Sequence, residues 1–216
     1  MGVAGIDGCR GGWAIATRTS VVVVAYLEQS ILDAQGLDTV GVDMPIGLPN
    51  DAPRACDSQA RRFLGRRSST VFSCPPRACL NAADYPAALK NARSAFGRGI
   101  SKQAFHLLPK IREVDNLVTS LDDHRIVEVH PECAFAVMNN GTPLPTKKSI
   151  SGLAARRALL LTHFGELPSP PSGAAEDDLL DAFAALWSIE RFRQGIHRQF
   201  GDGLRDERDL PMRIVC

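Results

Sequence analysis

The stretch VAGIDGCRGGWAIATRTSVVVVAYL, residues 3–27, decides how the rest of the chain is read. It holds three short β-prone runs, VAGIDG (3–8), WAIATR (13–18) and SVVVVAYL (20–27). The breaks between them, GCRGG and the pair Arg18 and Thr19, are tight, so the runs pair as consecutive hairpins. Three antiparallel strands therefore open the chain, with Asp7 at the end of the first, just ahead of a glycine-rich turn.

Working outward, EQSILDAQ (28–35) reads as a short helix ending at Gly36, and TVGVDMP (39–45) as a fourth strand stopped by Pro45 and Gly47. A strand that returns after a helix lies parallel to an earlier one. From about residue 50 to 121 the chain turns polar and irregular, with a helix over Arg54 to Arg66, a proline loop SCPPR and a helical segment KQAFHLLPKIREVDNLVTSL. This reads as a helical insertion on the sheet. HRIVEVHPE (124–132) restores a strand that runs into a turn at Pro131, and helical patterns follow at Ser151 to His163 and Glu176 to Arg193. The order β-β-β-α-β, insertion, β-α-α-α is that of an RNase H-like α/β fold in one domain spanning 1–216. The terminal MRIVC (212–216) reads either as an edge strand or as a pairing segment between two copies in a homodimer.

Composition bounds the function. With 216 residues and 44% hydrophobic content, the chain can bury one sizeable core. A formal net charge of +1 gives no global attraction to polyanions or anionic membranes, so any nucleic-acid contact must come from local clusters. The six cysteines form no CxxC pair and fit thiols in a reducing cytoplasm. The longest apolar run is far short of the roughly 20 residues a membrane span requires.

Carboxylates recur where predicted strands end: Asp7, Asp43, and Glu128 or Glu132. Such ends converge on one edge of a mixed sheet, where ligands bind. EDDLLDAFAALW adds Asp177, Asp178 and Asp181; Asp181 shares a helix face with Asp178 at a spacing of three or with Asp177 at four. Glu176 and Asp177 also suit capping of the helix N-terminus. Clustered carboxylates repel unless a cation neutralises them, and an all-oxygen donor set suits Mg²⁺ or Mn²⁺ rather than zinc. Asp7, Asp43, Asp178 and Asp181 are the candidate metal ligands, and with Glu132 the candidate catalytic set; two such ions carry out phosphodiester hydrolysis in nucleases. His130, between Glu128 and Glu132, is a candidate proton shuttle.

PRACDSQARRFLGRRSST (53–70) concentrates positive charge. An Asp57 to Arg61 pair would simply stabilise the helix, whereas free guanidinium forks with the hydroxyls of SST would grip phosphate. The candidate substrate contacts are Arg54, Asp57, Arg61, Arg67, Ser69 and Lys148. Lys147, Arg156 and Arg157 complete a second basic cluster and read mostly as a solvated helix face.

Six ordered blocks, GIDGCRGGW, VGVDMPIGLP, RACDSQAR running to RRSSTVFSCPPR, EVHPECAF, TKKSISGLAARRALL and DDLLDAFAALW, resemble those of domain of unknown function family 429, a predicted RNase H-like nuclease family. The resemblance implies an RNase H-like core with acids at Asp7 and Asp43, in the EVHPE glutamates and on the DDLLDA helix. Nucleases of that fold keep an acid on the first strand, one on the fourth and one or two on a late helix. The EVHPE pair and the RACDSQAR insertion depart from that pattern.

These readings lead to a metal-dependent nuclease or phosphodiesterase acting on nucleic acid or a smaller phosphoester. Two alternatives compete: a non-catalytic nucleic-acid or phosphate-binding module, and nucleotide handling like that of actin-like ATPases, whose first phosphate turn GIDGCRGGW also resembles. The latter proteins use two duplicated halves, and this chain has one.

Overall fold

A computed structural model describes residues 2–121 and 125–216. Strands β1 (Gly2–Cys9), β2 (Gly12–Ala16) and β3 (Val21–Val24) form the expected antiparallel meander. Helix α1 (Gln29–Ala34) carries the chain back, so β4 (Leu37–Val42) pairs parallel to β1 and β5 (Ile126–Glu128) parallel to β4. The five-stranded order is β3-β2-β1-β4-β5. The start of the expected fifth strand, His124, lies outside the described residues.

The segment read as an insertion supplies α2 (Ala55–Leu64), two 3₁₀ turns at Gly65–Thr70 and Arg77–Cys79, α3 (Tyr85–Phe96) and α4 (Lys102–Thr119). α2 therefore stops short of Arg66, at Gly65, whose φ of 50° few other residues tolerate. After β5 come α5 (Pro131–Met138), α6 (Ile150–Phe164) and α7 (Glu176–Gln194). The turn expected at Pro131 is instead the first turn of α5, because proline at that position lacks only an N–H that a helix start leaves unbonded. The ending MRIVC pairs within its own chain: β7 (Ile214–Val215) lies antiparallel to β6 (Gln199–Phe200), and Val215 bridges in parallel to Val129.

Alternation along the strands sorts side chains between two apolar layers. Ile6, Trp13, Ile15, Val40 and Val42 meet Leu108, Ile111 and Val114 of α4 on one face. Ala14 and Ala16 meet Leu179, Phe183 and Leu186 of α7 and Phe135 of α5 on the other. α4, from the segment read as an insertion, thus covers a face of the sheet. All six cysteines are unpaired and buried. Among the described residues no helix is long and apolar enough to cross a membrane.

Candidate functional site

The two strand-end aspartates are placed by glycines two residues earlier. Gly5 and Gly41 are register partners on β1 and β4, and both face α7. A Cβ on Gly5 would strike the Leu186 nitrogen and the Ala182 carbonyl, and one on Gly41 would come within 2.9 Å of the Ala185 carbonyl. Only glycine lets the helix lie this close to both strands. With a side-chain period of two, Asp7 and Asp43 point to the same face as those glycines, beside the N-terminal half of α7. Asp181 stands there, on the turn preceding Ala185.

These three carboxylates line a cleft of about 500 Å³. Asp7 is 7% exposed and Asp181 5%, while Asp43 is half-buried. Burial first, then Asp181 and Asp43, push the Asp7 carboxyl well above the ordinary carboxylate range. Burial and then Asp181 raise Asp43 to about 8. Burial raises Asp181 to about 6 against the opposing pull of Lys147. Lys147 Nζ is 2.7 Å from Asp181 Oδ2 and 3.3 Å from Asp177 Oδ2. Burial works against its charge, but Asp181 and Asp177 outweigh it and raise the ammonium pKa. Asp181 Oδ1 is buried with no hydrogen-bond partner among the described residues.

Of the two candidate acids on the helix, Asp181 is the inward one. Asp178 accepts a hydrogen bond from the Ala175 N–H at 2.8 Å and caps the start of α7, away from the cleft lining. Glu132 lines the cleft, yet both its oxygens accept from Arg156 Nη2, at 2.6 and 2.8 Å. Arg156 is 0% exposed and not a solvated surface residue. It also donates to the carbonyls of Pro145 and Gly152, so one guanidinium ties α5 to the loop that carries Lys147. Gly152 lets that loop pack: a Cβ there would collide with the Thr146 carbonyl.

The candidate substrate contacts divide. Arg67, Ser69 and Lys148 line the cleft, joined by Lys110 and Lys147. Arg54 and Asp57 do not. Arg54 is buried with its guanidinium across Asp57 (2.5 Å) and Glu128 (2.6 and 2.8 Å), and Asp57 also accepts from the Cys74 N–H. Of the two readings of this segment, the Asp57 to Arg61 pair does not form: Arg54 claims Asp57, and Arg61 donates Nε to the Val71 carbonyl at 2.8 Å. Sequence reasoning passed over Lys110 and Lys147 as site residues. The recurrence of glycine two residues before aspartate, GID at 5–7 and GVD at 41–43, marks both aspartates at once.

The family model for protein of unknown function DUF429 matches residues 5–204. The chain belongs to that family. Neither the curated proteins nor the solved structures compared with it contain a match. The six blocks quoted above lie within the matched span, so the cleft is built from family residues.

Proposed function

We propose that this DUF429 protein is a divalent-metal-dependent phosphodiesterase on an RNase H-like scaffold. The sheet order, three antiparallel strands followed by two parallel ones, supports the scaffold assignment. The reading rests on one observation: carboxylates from the ends of β1 and β4 and from α7 share a cleft in which, among the described residues, only one of the three, Asp181, is ion-paired, with Lys147.

Among the described residues no three histidine, cysteine or acidic side chains already stand in metal-binding geometry. The donor chemistry nevertheless fits Mg²⁺ or Mn²⁺, since the groups are carboxylate oxygens and Asp181 Oδ1 is buried and unpartnered. Asp7, Asp43 and Asp181 would hold the ion. When bound, it supplies water activation and neutralises charge on the phosphodiester oxygens.

The chain's own groups complete the site. Arg67, Lys110 and Lys148 line the cleft as cations for a phosphate, and Ser69, Thr70 and Thr146 add hydroxyls. Lys147, held on Asp181 and Asp177, offsets part of the repulsion among the acids. His130 also lines the cleft; burial lowers its pKa, so its neutral ring can accept a proton at neutral pH. Arg156 holds Glu132 still, which makes Glu132 a positioning residue.

The test is a calorimetric titration of Mn²⁺ into the wild type and into folded Asp7→Asn and Asp43→Asn variants, paired with an oligonucleotide cleavage assay. Saturable binding and cleavage in the wild type, both lost in the variants, are the expected result. Cleavage retained in Asp7→Asn would sink the assignment. A purely binding role is favoured by the Lys147 to Asp181 pair alone and predicts no Mn²⁺ isotherm.

A further inference from the structure

The acidic cleft adjoins a second cavity of about 410 Å³, and the two share Ser69, Phe72 and Gln103 as lining residues. The chemistry changes across that boundary. The second cavity is lined by two guanidinium groups (Arg61, Arg98), two phenyl rings (Phe72, Phe96) and the hydroxyls of Ser68, Ser69, Ser73 and Ser101. No carboxylate is among its lining residues.

Neither arginine is ion-paired with a carboxylate among the described residues. Arg18, Arg54, Arg77, Arg125, Arg156 and Arg157 all pair with carboxylates. Arg61 instead binds a backbone carbonyl, and among the described residues the exposed Arg98 reaches only Ser73 Oγ, at 3.4 Å. Guanidinium groups without an acid partner, next to hydroxyls, suit a phosphate. Aromatic rings beside them suit a nucleobase of any sequence, because every base presents a π-face. The volume lies within the roughly 300–1,000 Å³ of small-ligand sites.

We propose that this cavity is the subsite for the nucleotide flanking the scissile bond, and that the substrate is a single-stranded polynucleotide. The identity of the substrate rests on the phosphodiesterase reading of the adjoining cleft. A base can enter a concave, ring-lined pocket only when splayed out of its stack; bases paired inside a duplex are not available. A small phosphoester would fill the acidic cleft and leave this cavity without a use.

The experiment measures fluorescence anisotropy of labelled single strands of about eight nucleotides, as DNA and as RNA, and of the matching duplex. The full chain is used as wild type, Arg98→Ala and Phe96→Leu, across a salt series, and Mn²⁺-supported hydrolysis of bis(p-nitrophenyl) phosphate reports on the cleft alone. The wild type is expected to bind single strands at least about 10-fold more tightly than duplex. Arg98→Ala weakens binding about 5- to 10-fold and lowers the log–log salt slope by about 0.7, the loss of one phosphate contact. Phe96→Leu weakens binding by a similar factor of about 5 to 10 with the slope unchanged, as loss of stacking requires. Small-substrate hydrolysis stays at the wild-type rate in both. The DNA and RNA arms identify the sugar. Equal affinity for duplex, or superimposable isotherms for wild type and Arg98→Ala, would overturn the subsite. If these binding differences appear while the wild type hydrolyses neither substrate, the subsite stands and the phosphodiesterase reading falls.

Discussion

Two groups of buried acids sit side by side in this protein, Asp57 with Glu128 and Asp7 with Asp43 and Asp181. They are close enough that Asp43 lines one small crevice with Arg54, Asp57 and Glu128. The first group is closely hydrogen-bonded: one guanidinium, Arg54, spans both acids, and the N–H groups of Ile46 and Cys74 take further lone pairs. The second has three acids, one nearby ammonium on Asp181, and an orphaned oxygen. Asp57, Glu128, Asp7 and Asp181 are all nearly fully buried and Asp43 is half-buried, so burial alone does not separate the two groups. What differs is how well the acids are partnered, because an unpaired buried anion costs stability that a proton or a cation restores.

The sharpest way to break this comparison is to unbalance the first group. Arg54→Ala leaves Asp57 and Glu128 buried without their cation and should cost about 3–5 kcal/mol in urea unfolding. A loss below about 1 kcal/mol, the scale of a surface pair, would erase the contrast.

A smaller effect should come from pH. Asp43 and Asp181 have folded-state pKa values of about 8 and about 6, raised from an ordinary 3.8. The folded state therefore holds these protons more tightly than the unfolded chain. The associated stability is complete below about pH 4 and is lost as pH rises through the folded values. Without metal, unfolding free energy should fall progressively between about pH 5 and pH 8, by at most about 1.4 kcal/mol per pH unit for each group. Mn²⁺ should remove much of that fall. A metal-free profile that is flat over this window would show that the cluster is already balanced.

The smallest expected effect separates the two aspartates of α7. Asp178→Ala loses the bond to the Ala175 N–H and should cost about 0.5–1 kcal/mol, with Mn²⁺ affinity unchanged. Asp181→Asn should remove Mn²⁺ binding while leaving the metal-free fold at least as stable at about pH 8. A reversal of these two outcomes in calorimetry would assign Asp178 to the site.

Much of the fold was legible because its signals are local. Alternating apolar residues in 3–27 and the helical spacing in 176–193 depend only on near neighbours along the chain. Pro131 was misread as a turn because proline stops a strand and starts a helix by the same property, the missing N–H. Asp7 and Asp43 were visible as candidate acids and Asp181 only together with Asp178, since strand ends and helix faces follow from period. The basic residues were not sortable: Arg54 and Arg156 look in sequence like Arg67 and Lys148, yet the first two are internal counter-ions.

By itself, then, the sequence determined the order of the elements, the hairpin start, and the strand-end position of two glycine-preceded aspartates. Tertiary structure alone decided which charges cancel. Arg54 meets Glu128 from 74 residues away, and Arg156 meets Glu132 from 24. Coulomb interactions and desolvation depend on distances through space, and those exist only once the sheet and its helices have closed around the acids.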